Sequence, residues 1–146
     1  MKSRTTEVGN VSEAWVLAAL IEAGYIVLQP FGDGCKYDFV IDDGVTLQRV
    51  QCKTGRMKAG CINFNAYSVA GNSNGVRQPY IGLADLFAVY CPENHHVYIV
   101  PVLQVGPTKV RLRVENTRNS QRQRVRWAKE FQLLPIAPKQ KEFAEE

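Results

Sequence analysis

Two neighbouring stretches leave this chain little choice of architecture. Leu86-Phe87-Ala88-Val89-Tyr90-Cys91 is almost wholly apolar, and after Pro92-Glu93-Asn94 the run from His96 to Val102 is nearly as dry. A strand of that composition has no polar face to give to water, so each side of its sheet must be covered by another layer. The pair predicts a hairpin at the centre of a sheet buried on both faces. With 146 residues, 45% of them apolar and 22% charged, the chain has material for one packed domain, taken as residues 1–146, and its composition excludes global disorder. No run approaches the roughly 18 apolar residues of a membrane-spanning helix. A soluble, cytoplasmic protein is expected.

Other elements follow from local signals. Residues 10–23 place Val11, Ala14, Leu17, Ala18 and Ile21 at helical spacing, widened by Trp15, Ala19 and Leu20. Asn10 and Glu13 have capping-box spacing, and Gly24 supplies a stop. Asp42-Asp43-Gly44 predicts a tight turn joining residues 36–41 to 45–53 as an antiparallel hairpin. Residues 62–67 read as a strand, 69–79 as a polar loop, 110–114 as a half-exposed edge strand and 121–131 as a final helix. The tail from about Pro135 is polar and expected to fray.

Charge is unevenly distributed. Lys109, Arg111, Arg113, Arg118, Arg122, Arg124, Arg126 and Lys129 are opposed within residues 109–129 only by Glu115, whereas the whole chain carries +4. The rest is therefore net acidic. Segregation of this kind suits a polyanion, because each cation that neutralises a phosphate releases counterions. A solvated surface whose arginines find acids on folding is the plainer alternative. Cys35, Cys52, Cys61 and Cys91 contain no CxxC pair and are expected as reduced thiols, with Cys91 and His95 or His96 giving at most half a zinc site.

The hairpin carries the chemistry. Gln51 and Lys53 are two apart and share a face, while Cys52 and Val50 take the other. Counting from the turn brings Asp38 beside Gln51, and Glu13 can reach them if the helix crosses the strands. Asp38, the Gln51 amide, a backbone carbonyl at Cys52 and a supporting Glu13 are oxygen donors suited to Mg²⁺, with Mn²⁺ able to substitute. Lys53 would orient or deprotonate an attacking water and offset charge on a phosphorane. The same spacing also describes an ordinary polar strand face, and the Asn10 capping box is the alternative role for Glu13.

Glu13, Asp38 and Gln51-Cys52-Lys53 together resemble the PD-(D/E)XK nuclease superfamily. Tyr80-Ile81-Gly82, Asp85-Leu86-Phe87-Ala88-Val89-Tyr90 and the run 119–127 are similar to its small intron-encoded homing endonucleases. The resemblance covers roughly residues 7–131. It implies an α/β, restriction-endonuclease-like core with a mixed central β-sheet flanked by helices, and Mg²⁺-dependent, site-directed cleavage of double-stranded DNA by a homo-oligomer, dimer or tetramer. Two departures stand out: Lys36-Tyr37-Asp38 replaces the proline-aspartate pair, and Gln51 stands where an acid is usual, removing one negative charge from the metal site.

For DNA, Arg111 and Arg113 on a strand and Arg56, Lys58, Asn72, Asn74, Arg77 and Gln78 in the connecting segment offer donors for base edges. Arg118, Arg122, Arg124 and Lys129 suit phosphates, as do Lys36 and Arg49 near the hairpin. The expectation is a sequence-selective endonuclease of the intron-homing kind. A Holliday-junction resolvase or repair nuclease of the same fold, and a catalytically inactive DNA-binding module, are the alternatives.

Overall fold

The computed structural model describes residues 3–69, 75–117, 119 and 124–136. One α-helix, α1 (Arg4–Glu22), leads into ten strands: β1 (Ile26–Leu28), β2 (Phe39–Asp42), β3 (Leu47–Thr54), β4 (Arg56–Lys58), β5 (Cys61–Asn65), β6 (Tyr67–Val69), β7 (Arg77–Pro79), β8 (Leu86–Cys91), β9 (His96–Pro101) and β10 (Lys109–Arg113). The main sheet has the order β1-β2-β3-β8-β9, with β3 and β8 parallel and every other pair antiparallel.

The two-sided burial expected of β8 is met residue by residue. Leu86, Ala88 and Tyr90 pack with Val16 and Leu20 of α1 and with Phe39, Ile41 and Val50. Phe87, Val89 and Cys91 pack the other way, with Ile62, Phe64, Val110 and Leu112 of a second sheet ordered β10-β5-β4. The sheet is mixed, as expected, but among the described residues a single α-helix covers one face and a sheet, not a helix, covers the other. Parallel strands need a long crossover. Here the crossover from β3 to β8 is made of strands, two of which, β4 and β5, form the second layer together with β10, which follows β9.

The helix starts earlier than its periodicity implied. Ser3 is the N-cap, its Oγ accepting the Thr6 N–H at 3.3 Å, so Asn10 lies inside the helix and the Asn10–Glu13 capping box does not form. The buried stripe is Ser12-Val16-Leu20, leaving Val11 and Ile21 exposed. A serine on the core face hid this stripe from a hydrophobic count. Its hydroxyl is satisfied by Thr54 of β3, Oγ to Oγ1 2.5 Å.

Three further expectations change. Residues 67–69 and 77–79, read as strand end and loop, pair as the two-stranded β6–β7 ribbon. The final helix over 121–131 is absent from its described part: Arg124 has φ +60°, the Arg113 N–H donates to Arg126 O at 2.7 Å, Trp127 bridges Arg113, and only Ala128–Glu130 make a 3₁₀ turn. Pairing with β10 outweighs the helix propensity of the Arg/Gln-rich run. The chain beyond Pro135 is pinned at least to Ile136, whose N–H donates to Ala23 O at 2.8 Å; residues 137–146 lie outside the described residues. No helix among the described residues is long and apolar enough to cross a membrane.

The β2–β3 turn forms as expected. Asp42 Oδ1 accepts the Gly44 N–H at 2.6 Å and Asp43 Oδ1 accepts from Val45 and Thr46, with Gly44 at φ +88°. Where β3 passes into β4, a Cβ on Gly55 would lie 2.6 Å from Ile62 Cγ2 and 2.9 Å from Val89 Cγ1. Both neighbours are buried β-branched side chains that cannot swing aside. Gly55→Ala is expected to lower stability by about 1–3 kcal/mol, read as a lower urea midpoint at unchanged m-value.

Candidate active site

The site is assembled where β2 and β3 begin to part. Phe39 pairs with Val50, so Asp38 occupies the next rung, opposite Gln51, and its N–H donates to Val50 O at 2.9 Å. Beyond Asp38 the β2 backbone no longer accompanies β3, and the Cys52 N–H would lose its partner. Asp38 Oδ2 accepts it at 2.8 Å. The carboxylate is thereby fixed at the sheet edge by the strand that carries the other candidates.

Gln51 and Lys53 lie on the face turned to the second sheet, whereas Val50 and Cys52 pack toward α1. The Gln51 amide lies against the Cys52 carbonyl, Nε2 to O 3.3 Å. Lys53 Nζ donates to Tyr67 O at 2.9 Å and to Tyr80 Oη at 3.4 Å, and stands 4.7 Å from the centre of the Tyr80 ring. Glu13 comes from α1, held across β3 by the adjacent Ser12–Thr54 contact.

These groups feel one another. Burial raises the Glu13 carboxyl above its ordinary range and the Asp38 charge raises it further. Burial also raises Asp38, against the Cys52 hydrogen bonds and the charge of Lys53, which hold it down. Burial pushes Lys53 from 10.5 to about 8, with Asp38 opposing. The Cys52 thiol is driven strongly upward by burial and by the two carboxylates, so it stays a neutral packing group. Two desolvated acids and a destabilised ammonium in one place are costly to hold there, which makes this the candidate site.

A cation fits this donor set. The Asp38 charge raises the Glu13 carboxyl, and a divalent ion between the two would relieve that repulsion. The Gln51 amide and Cys52 carbonyl add neutral oxygens of the kind Mg²⁺ accepts. Among the described residues no group of three or more His, Cys, Asp or Glu could hold a metal, so the neutral oxygens would have to complete the set. Cys91 is buried and its thiol lies 3.3 Å from Glu93 Oε2.

Of the basic residues, most gather on one surface. Lys109, Arg111 and Arg113 alternate outward along β10, Arg111 is paired with Asn63, and Asn63 with Arg56 on β4. Lys58 lies beside them, and Lys109, Arg111, Arg113, Thr117, Arg124 and Arg126 line a cavity of about 450 Å³. Arg77 and Gln78 are exposed on β7, the guanidinium 4.3 Å from the centre of the Tyr67 ring. Lys36 is exposed, and Lys129 stands 6.0 Å from the Trp127 ring centre. Arg49 is placed differently: its guanidinium grips Asp85 through Nε at 3.1 Å and Nη2 at 3.0 Å, and donates to Gly82 O at 3.0 Å, so it ties β3 to the turn before β8. Asn72, Asn74, Arg118 and Arg122 lie outside the described residues. Sequence reasoning missed Tyr67 and Tyr80 as neighbours of Lys53, because only the β6–β7 pairing brings them together.

A mixed sheet with a helix on one face and an acid, amide and lysine at the edge of one hairpin is the architecture of a restriction-endonuclease-like nuclease. A family model described as PD-(D/E)XK endonuclease matches residues 3–134, and the chain belongs to that family, a nuclease and hydrolase by class. Among solved structures it is similar to a bacterial homing endonuclease, I-Ssp6803I, at 25% sequence identity and a TM-score of 0.70, covering 89% of each chain. No curated protein matches it.

The Lys53 environment has a consequence for stability. Its folded pKa is about 8 against 10.5 for the free side chain, so the unfolded chain binds more protons between those values and stability rises with pH across that window. The cost of burying the ammonium is fully present below about 8. Lys53→Met should therefore stabilise the fold at neutral pH by about 1–3 kcal/mol, with the gain shrinking as melts are repeated at rising pH above 8.

Proposed function

We propose that this nuclease is a divalent-metal-dependent, sequence-selective endonuclease of double-stranded DNA, acting as a homo-oligomer in an intron-homing role. What supports the reading is the rung that sets Asp38 opposite Gln51, with Lys53 two residues on and the charges of both Lys53 and Glu13 close enough to interact with that of Asp38. Asp38, Gln51 and the Cys52 carbonyl would hold Mg²⁺ or Mn²⁺, with Glu13 in support. When bound, the cation supplies Lewis acidity at the scissile phosphate.

The chain's own residues do the rest. Lys53 presents its amine on the Gln51 face, where it orients the attacking water and takes up or offsets charge as the phosphorane forms. A pKa of about 8 leaves it able to act near neutrality. Asp38 fixes Cys52 and with it the angle of the carbonyl. Gln51 lowers the site's negative charge by one relative to an acid, and the Glu13 carboxylate compensates.

The outer face of the β10-β5-β4 sheet supplies the DNA surface. A concave or ribbon-like set of strands can enter a major groove, where Arg56, Arg111 and Arg113 have bidentate donors for guanine and Asn63 has them for adenine. Lys58, Arg124 and Lys129 suit the phosphates, and Lys36 sits beside the site. Twofold symmetry would set two such sites against opposite strands.

Asp38→Ala should abolish Mg²⁺-dependent cleavage of a randomised duplex library, by about 100-fold or more, while DNA affinity measured without cleavage stays within a few fold. A wild-type chain that binds DNA and never nicks it with any divalent ion would make it a binding module instead. Selective cutting of branched junctions over linear duplex would favour the resolvase reading. Arg124→Ala should flatten the dependence of log affinity on log salt by about one unit.

A further inference from the structure

Lys53 needs more than its strand to be useful. A lysine side chain is a flexible four-carbon stem with three equivalent donors, and on an unsupported strand its ammonium would sample many positions. Here two donors are already directed: one to the Tyr67 carbonyl at 2.9 Å, the other to Tyr80 Oη at 3.4 Å. The Tyr80 ring also faces the ammonium, 4.7 Å from its centre, close enough for a cation–π attraction.

Both acceptors come from one place. Tyr67 opens β6 and pairs with Pro79, and Tyr80 is the residue after Pro79, so the root of the β6–β7 ribbon brings the two together. Tyr80 is itself held firmly. It is 6% exposed, its ring packs edge-on against Phe87 at 5.5 Å, and its phenol hydrogen-bonds the Ser68 side chain. Phe87 is the β8 partner of Gln51, which ties the seat to the rung that carries the site.

We infer that the ribbon root is a clamp for the reactive lysine, with Tyr80 the positioning residue that, together with the Tyr67 carbonyl, holds the Lys53 ammonium on the Gln51 face. This rests on the assignment of Lys53 to the reaction. The third donor, among the described residues, is left for water or phosphate. The ribbon strand that carries Arg77 is in this way part of the active site: Arg77 covers the ring of the same Tyr67 whose carbonyl receives the lysine.

The test uses the full chain with Mg²⁺ and saturating cleavable duplex, under single turnover. Tyr80→Phe keeps the ring and removes the acceptor, and should slow cleavage about three- to tenfold with DNA affinity unchanged, the assay run well below a melting temperature that the lost Ser68 and Lys53 hydrogen bonds lower. Tyr80→Leu removes both, and should slow it about 10- to 100-fold. In ¹³C-lysine-labelled protein the Lys53 Cε resonance, assigned with Lys53→Arg, should show a ring-current shift in the parent and in Tyr80→Phe. That shift should vanish in Tyr80→Leu, which identifies Tyr80 as the ring that faces the ammonium. The clamp is overturned if Tyr80→Phe cleaves at the parental rate, if its rate loss follows a loss of DNA affinity, or if the Lys53 resonance carries no such shift. Full cleavage by Lys53→Ala would instead sink the site assignment, whatever Tyr80 does.

Discussion

Everything in this structure is arranged around covering β8 from two sides. Its six residues are all buried, alternately against α1 and against the second sheet. Because β3 runs parallel to it, the chain must travel from one end of the sheet back to the other between them. That journey builds β4 and β5 of the cover, which β10 completes after β9, and the β6–β7 ribbon. The basic surface, the ribbon and the contacts of Lys53 are thus by-products of closing a hydrophobic layer.

The site takes its properties from the edge of that arrangement. β3 is buried in mid-strand at Val50 and only half buried at Gln51, Cys52 and Lys53. Half-burial is enough to raise Glu13 and Asp38 and to lower Lys53. Fully buried, the same groups would be neutral; fully exposed, they would be indifferent to one another.

How far the sequence could be read depended on how local each signal was. The β2–β3 hairpin was legible because Asp42-Asp43-Gly44 sets its own turn, and the register that puts Asp38 against Gln51 follows by counting. The apolar character of β8 and β9 announced their place at the centre. The ribbon was not legible: Tyr67 and Tyr80 are far apart in sequence and their strands are only three residues each, too short for a periodic pattern. In the described part of residues 121–131 the helical propensity was overruled by pairing with β10, and the core face of α1 was misplaced because Ser12, a polar residue, occupies it. Arg49 looked like any exposed cation near a hairpin, and nothing local pointed to Asp85, 36 residues away, as its partner.

The passage through Gly55 ties the two sheets more closely than their separate hydrogen-bond ladders imply. Lys53 and Arg56 are separated only by Thr54 and by Gly55, a position that admits no side chain. Under the proposed reading, the point of scission and the surface that reads the bases are consecutive marks on one polypeptide rail. The offset between recognised sequence and cut would then be built into covalent spacing, and lengthening that joint by one residue would move the blade relative to the text.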